Sequence, residues 1–123
     1  MEKTEAIASS AVKTAMDMGA AAILVLTDSG NTARLVAKYR PEQPILVLTA
    51  SQTTAHQVFG SLRGCTSKAI GSMIGTDSIL ARACDMLRDD LMWAKSGDFV
   101  VAVHGQLEAR SGSTNMLKII TVS

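Results

Sequence analysis

One stretch of the 123-residue sequence combines residue types and spacing that could bind a phosphate group. An apolar run ends at Leu26, a short polar segment follows, and a helical pattern then begins. The free N–H groups of a helix's first turn, the positive end of the helix dipole and nearby hydroxyl groups all favour an anion. The polar residues of this segment are Thr27, Asp28, Ser29, Gly30, Asn31 and Thr32.

The same segment also fits a simple helix cap that needs no ligand. The side chain of Ser29 or Asn31 would then accept a hydrogen bond from the first N–H groups of the helix. The segment has no Gly-Lys-Ser/Thr sequence, so a nucleotide-hydrolysing P-loop is excluded. Both the phosphate site and the cap remain open on the residue pattern alone.

A second polar segment, 105–114, follows an apolar run that ends at His104. Its glycines permit tight turns, and a loop at the carboxyl end of a strand could close over a ligand held by the first segment. A plain surface hairpin explains the same composition. No Ser/His/Asp or Cys/His arrangement can be assembled, and neither His56 nor His104 has neighbours at metal-ligand spacing.

Composition narrows the class of protein. The formal net charge is +1 and the basic residues are scattered, so neither a nucleic-acid partner nor a membrane surface is expected. The longest apolar run, 20–26, is too short to span a bilayer. The two cysteines, Cys65 and Cys84, are expected to be free buried thiols in a reducing compartment. We therefore expect a cytoplasmic protein.

Apolar runs and helical stripes alternate along the chain. Unbroken apolar runs, typical of strands covered on both faces, predict strands at 20–27, 45–49, 63–70, 99–104 and 116–122. Helical spacing predicts helices from Thr4 to Gly19, from Ala33 to just before Pro41, weakly over 53–62, and from Thr76 through Leu91. This alternation favours a single domain, 1–123, of the α/β class, with a mainly parallel sheet between helices. The last strand follows a loop without a helix, so we predict that it is antiparallel.

These elements, taken in order, resemble the C-terminal domain of pyruvate kinases along nearly the whole chain. The segment 5–12 is similar to the first helix of that domain, and 23–41 to its first strand, phosphate turn and second helix. The segments 44–49, 96–98 and 111–115 match its second strand and its closing part. Several matches in the right order are more specific than any single motif.

The resemblance implies a three-layer fold in which a five-stranded mixed sheet, four strands parallel and the last antiparallel, has helices on both faces. It also implies a regulatory domain of an enzyme that transfers a phosphoryl group from phosphoenolpyruvate to ADP, giving pyruvate and ATP. The Mg²⁺ and K⁺ ions of that enzyme belong to a catalytic barrel that would precede Met1. We therefore expect this domain to hold no cofactor and to be inactive alone. Its expected partners are the rest of the pyruvate kinase chain and a second copy, since C-terminal domains meet in the homotetramer.

In many members of the family an effector sugar phosphate binds between the phosphate turn and the glycine loop. Binding there tightens the tetramer and raises the affinity for phosphoenolpyruvate, which is a coupling between two sites. The resemblance thus assigns the effector phosphate to 27–32 and makes Arg82 a possible ligand of the distal phosphate. The effector-loop residues that it implies are Gly105, Gln106, Leu107, Arg110, Ser111 and Gly112.

The sequence departs from this pattern where charge matters. Asp28 stands where members activated by a sugar bisphosphate often carry a basic or neutral residue, and Glu108 adds a second carboxylate in the loop. A carboxylate 4 Å from a phosphate dianion repels it by roughly several kcal/mol at an effective dielectric constant near 20. The tryptophan that holds the distal phosphate in such members is also absent before the helix of Arg82. Two other functions stay open: a free-standing phosphometabolite-binding module, and a structural interaction domain whose binding site has decayed.

Overall fold

Five strands form one mixed sheet in the computed structural model, which describes residues 3–26, 31–49, 65–69, 76–104 and 116–122. The strands are β1 (Ala22–Leu26), β2 (Ile45–Thr49), β3 (Cys65–Ala69), β4 (Phe99–His104) and β5 (Met116–Thr121). They lie in the order β3-β2-β1-β4-β5. The first four run parallel to one another and β5 pairs antiparallel with β4. The predicted mixed sheet with an antiparallel last strand is confirmed.

Helices cover both faces of this sheet. α1 (Lys3–Met18) and α2 (Asn31–Lys38) pack on one face, and α3 (Thr76–Asp85) packs on the other. The central strand β1 sends Ile23 and Val25 to the α1/α2 face and Leu24 and Leu26 to the α3 face. All five residues of β1 are buried, which is why its sequence is an unbroken apolar run. The helix predicted over 53–62 lies outside the described residues.

The link from α1 to β1 is longer than the sequence predicts, because Gly19 and Ala20 close the helix before the strand begins. Gly19 has a φ of 62°, and its N–H donates to the carbonyl of Met16 at 3.3 Å. The N–H of Ala20 donates to the carbonyl of Ala15 at 2.9 Å. This pair of bonds is a Schellman cap, which uses Ala20 for the helix end and starts the strand at Ala22 rather than at residue 20. No helix of the described residues is long and apolar enough to cross a membrane.

The helix predicted through Leu91 changes its winding before it ends. After α3 the chain forms a π-helical turn, Met86–Asp90, in which the N–H of Leu91 donates to the carbonyl of Met86 at 2.9 Å. The carbonyl of Leu87 then accepts from both Trp93, at 2.9 Å, and Ala94, at 3.3 Å. The wider turn thereby brings these last two residues against the core on the α3 face. Periodicity does not reveal this difference, because the same apolar residues suit an α-helix.

Met92, which follows the π turn, is expected to be a strained residue. Its φ is 57° and its side chain is 80% exposed. A side chain in the left-handed region costs about 1–2 kcal/mol, which glycine avoids at the cost of some extra freedom in the unfolded chain. We expect Met92→Gly to raise the free energy of unfolding by roughly 0.5 to 1 kcal/mol. Urea denaturation measures this change.

A matched control for that prediction is Met16→Gly. Met16 is also exposed, at 57%, but it lies in the right-handed backbone of α1. Glycine inside a helix lowers stability by about 1 kcal/mol, so the same chemical change should act in the opposite direction. Destabilisation of both variants would show that the backbone of Met92 is not strained.

The two cysteines are buried and free, as predicted, and they lie on opposite faces of the sheet. Burial raises the pKa of the Cys65 thiol from 9.0 to about 11. The folded state therefore keeps the Cys65 proton at a pH at which the unfolded chain releases it. Stability from this thiol is fully present below pH 9 and is lost as the pH rises toward 11.

Cys65→Ala provides the measurement of this effect. The free energy of unfolding of the wild-type chain should fall more steeply between pH 9 and 11 than that of the variant, by up to about 2 kcal/mol over the window. Because the variant keeps every lysine and tyrosine, their common titration cancels in the comparison. Parallel pH profiles for the two proteins would contradict the prediction.

Candidate functional site

The first turn of α2 carries the described part of the predicted phosphate segment. α2 begins at Asn31, and Thr32 in this turn is only 3% exposed. The other four predicted residues, 27–30, lie outside the described residues. The turn has no acidic residue, so its backbone N–H groups and helix dipole are not offset by a carboxylate within the helix. The predicted phosphate site therefore retains one of its requirements, a helix amino end without an acidic residue in its first turn.

The register of the sheet brings the two predicted binding segments to the same edge. Leu26, the last residue of β1, lies opposite Leu48 of β2 and opposite His104 of β4. The chain following Leu26 and the chain following His104 consequently leave neighbouring parallel strands at their carboxyl ends. In open α/β sheets this edge is where ligands usually bind. The effector loop itself, 105–112, lies outside the described residues.

Arg82 lies on the other face of the sheet from α2. It is an exposed residue of α3, and it lines a shallow cleft with Leu48, Ile79 and Met86. Leu48 is next to the carboxyl end of β2, so Arg82 is near the same edge as the phosphate segment. A ligand that contacted both Arg82 and the phosphate segment would have to extend across the end of the sheet. The family-derived role of Arg82 remains a prediction.

Arg34 is a charged residue near the site that the sequence reasoning did not single out. It is exposed and belongs to the first half of α2, three positions after Asn31. Helical residues three apart share a face, and their side chains tilt toward the helix amino end. The spacing of Arg34 from Asn31 is the signal in the sequence that indicates this position.

A cavity between α3 and β5 does not contain any predicted site residue. It is a groove of about 310 Å³ between α3 and β5, with apolar walls and a rim that includes Asp85 and Lys118. Cys84 lies in its wall, and burial is the main cause that raises the pKa of this thiol. Within the described parts of the chain, no three His, Cys, Asp or Glu side chains are grouped as a metal site requires.

The fold is that of a three-layer α/β domain with a mixed five-stranded sheet. The model of the family "Pyruvate kinase, alpha/beta domain" matches residues 5–120. This match covers almost the whole sequence, and the chain belongs to the pyruvate kinase family through that domain.

Similar proteins agree with this assignment. The chain is 43% identical to a pyruvate kinase of Eimeria tenella over 122 residues, which is 99% of this chain and 23% of the relative. It is 38% identical to a pyruvate kinase of Dictyostelium discoideum, over 96% of this chain and 23% of the relative. The solved structure of Cryptosporidium parvum pyruvate kinase in complex with ADP superposes with a TM-score of 0.90 at 36% identity, and the match covers all of this chain and 24% of that one. The chain thus spans about a quarter of the length of these relatives.

Proposed function

We propose that this chain is the regulatory and oligomerisation domain of a pyruvate kinase. The enzyme would transfer a phosphoryl group from phosphoenolpyruvate to ADP, in the cytoplasm, with Mg²⁺ and K⁺ held in a catalytic barrel outside this chain. The observation that carries the proposal is the side-by-side placement of β1 and β4, whose carboxyl ends precede the segments predicted to be the phosphate turn and the effector loop. Family membership adds support, since the matching family model covers residues 5–120.

The proposed ligand is a phosphorylated metabolite, bound through the turn 27–32 and the loop 105–112. The amino end of α2, with no acidic residue in its first turn, supports a phosphate there. Arg82 would contact a second phosphate from the α3 side. No group of this domain is proposed to act in catalysis, so the purified chain should form no ATP from phosphoenolpyruvate and ADP.

A thermal-shift titration of the purified chain with sugar mono- and bisphosphates tests ligand binding. A ligand at 100 times its dissociation constant stabilises the folded state by about 2.7 kcal/mol, which is a readily measured shift of the melting temperature. Unchanged melting with every phosphate tested would reject the effector site and leave a structural domain. Formation of ATP by the chain alone would reject its proposed regulatory role.

Exposed apolar side chains at one end of the sheet support the oligomerisation role. Phe99 and Ile119 lie on the α1 face of β4 and β5 and are 42% and 48% exposed. Met16 and Met18, in the last turn of α1, are 57% and 37% exposed. We call these four residues the apolar end patch. β5 is also an edge strand, whose outer backbone groups are open to pairing with another chain.

Ile119→Asp is expected to weaken self-association of the chain at least tenfold, because it places a carboxylate in the apolar end patch. A tenfold loss of affinity corresponds to about 1.4 kcal/mol of association free energy. Burying an unpaired carboxylate usually costs more than this, so a tenfold loss is a lower bound. Sedimentation velocity over a concentration series measures the change.

Met92→Asp is the matched control for Ile119→Asp. Met92 is the most exposed of the large apolar residues described, at 80%, but it lies outside the patch. The control should associate like the wild type. A wild-type chain that stays monomeric at millimolar concentration, or equal association of both variants, would contradict the proposed role of the patch.

A further inference from the structure

A groove of about 310 Å³ lies between α3 and the edge strand β5. Small-molecule sites in proteins have volumes of about 300 to 1,000 Å³, so this groove is large enough for a small ligand. An apolar cavity of about 150 Å³ holds one benzene molecule. With about twice that volume, the groove has room for an apolar body of two fused aromatic rings.

Small side chains on α3 leave this space open. Leu80, Ala81 and Cys84 line the groove, and spacings of four and three positions put Cys84 on the same side of the helix as the other two. The alanine and cysteine side chains are too short to fill the distance to β5. Ile120 of β5 lines the groove from the sheet and packs against the core on the α3 face. The walls are therefore apolar, as is usual for a small-molecule site.

Lys118 supplies a positive charge at the rim of the groove. It is exposed and lies two positions before Ile120, so both residues are on the same face of β5. An ammonium group has three N–H donors, so Lys118 can bind a carboxylate while keeping another contact. On the α3 side of the rim, the carboxylate of Asp85 is 3.2 Å from the guanidinium of Arg88, which also pairs with Asp89. A cationic ligand would have to compete with Arg88, whereas an anionic ligand would not.

The groove is separate from the proposed effector site. Lys118 lies opposite Ala102 of β4, and Ile120 lies opposite Val100. Both of these partners precede His104, the carboxyl end of β4, after which the predicted effector loop begins. The groove is also on the α3 face of the sheet, whereas α2 packs on the opposite face. A ligand in the groove would therefore occupy a second site.

From the volume, the apolar walls and the charge at the rim, we propose that the groove between α3 and β5 binds a small aromatic carboxylate. Its fused rings would lie between the helix and the edge strand, and its carboxylate would accept a hydrogen bond from Lys118. A rigid ring system loses little conformational freedom on binding, which favours it over a flexible chain of equal size. The inference does not rest on the proposed function, because no residue of the predicted effector site takes part.

Naphthoate, naphthamide and naphthylmethylamine are matched probes, because they share the two fused rings and differ in charge. Isothermal titration calorimetry with the 123-residue chain at low ionic strength measures their affinities. We expect naphthoate to bind with a dissociation constant of about 0.1 mM, as is usual for a ligand of this size. The uncharged naphthamide should bind about tenfold more weakly, since it lacks the charge-assisted hydrogen bond. The cationic amine should bind more weakly than naphthoate.

Lys118→Gln tests the role of the rim charge. It should weaken naphthoate binding about tenfold and leave naphthamide binding nearly unchanged, because only naphthoate carries a charge. Lys13→Gln is the matched control, since Lys13 is an exposed lysine of α1, on the opposite face of the sheet. This control should change the affinity for naphthoate less than twofold.

Ala81→Leu tests the location of the ring system. The larger side chain fills the groove, so it should weaken both naphthoate and naphthamide at least tenfold. Ala81 is exposed, and leucine is a good helix former, so the fold should be kept. Unchanged melting of the ligand-free variants will show that it is.

The possible results decide the inference. Naphthoate binding that is weakened in Lys118→Gln and Ala81→Leu but kept in Lys13→Gln supports it. Three results overturn it: no binding of naphthoate, binding that Lys118→Gln or Ala81→Leu leaves unchanged, and tighter binding of the amine than of naphthoate. The thermal-shift titration with sugar phosphates tests the effector site separately, so failure of one site leaves the other standing.

Discussion

Leu24→Ala is expected to lower the free energy of unfolding by about 3 kcal/mol, within the usual range for a buried leucine truncated to alanine. Leu24 is fully buried in the middle of β1, the central strand of the sheet. It is paired with Leu46 on one side and Ala102 on the other, and it packs in the α3-face core. Neighbours held in two strands cannot collapse easily into the space left by the removed atoms. Chemical denaturation followed by circular dichroism measures the loss.

Met16→Ala is the control for this core substitution. Met16 is 57% exposed on α1, and alanine is the best helix former, so stability should change by less than about 0.5 kcal/mol. Both variants should be compared in dilute solution, where self-association does not contribute. A loss of less than about 1 kcal/mol for Leu24→Ala would show that the core on the α3 face is loosely packed or adjusts to the cavity.

Asp28→Lys is expected to tighten the binding of fructose 1,6-bisphosphate by about a hundredfold, or about 2.7 kcal/mol. The substitution replaces a carboxylate that repels the phosphate dianion with an ammonium group that attracts it. At an effective dielectric constant near 20, each such interaction is worth roughly several kcal/mol at 4 Å, and exposure to solvent reduces it. Wild-type binding of this bisphosphate is expected to be weaker than micromolar. Calorimetric titration of the two proteins measures the difference.

Asp17→Lys makes the same change of charge at the other end of the sheet. Asp17 is exposed in the last turn of α1, where it forms an ion pair with Lys13 at 3.8 Å. This control raises the net charge as Asp28→Lys does, so equal tightening in both variants would indicate a long-range effect of charge rather than a local one. Micromolar binding by the wild type would contradict the electrostatic argument at Asp28.

Much of the fold could be predicted because buried strands and amphipathic helices leave local patterns. β2 is an unbroken apolar run after Pro44, and its predicted bounds, 45–49, are those observed. β3 was predicted over 63–70 and is found at Cys65–Ala69, although Ser67 interrupts its apolar character. A strand near the edge of a sheet needs fewer apolar residues, so its pattern is weaker. The winding of the π turn was not predictable, because it depends on which distant side chains Trp93 and Ala94 meet.

The candidate site was predictable in part. A buried strand followed by a small polar turn and a helix indicates an anion site, but the same residues indicate a helix cap. The choice between the two came from the family resemblance. Arg34 was not singled out, since its significance depends on the surface of α2 that faces solvent. The sequence shows that a residue is charged, but not which side of its helix faces solvent.

The sequence by itself determined the class of fold, the antiparallel last strand and the free cysteines. These features depend on residues close together in the chain, whose spacing sets backbone geometry. Only the tertiary structure decided the order β3-β2-β1-β4-β5, which makes β1 and β4 neighbours, and the faces that α2 and α3 cover. It also decided that exposed apolar residues of α1, β4 and β5 lie toward the same end of the sheet. Such pairings join residues tens of positions apart, and they are selected by the packing of the whole core rather than by any local pattern.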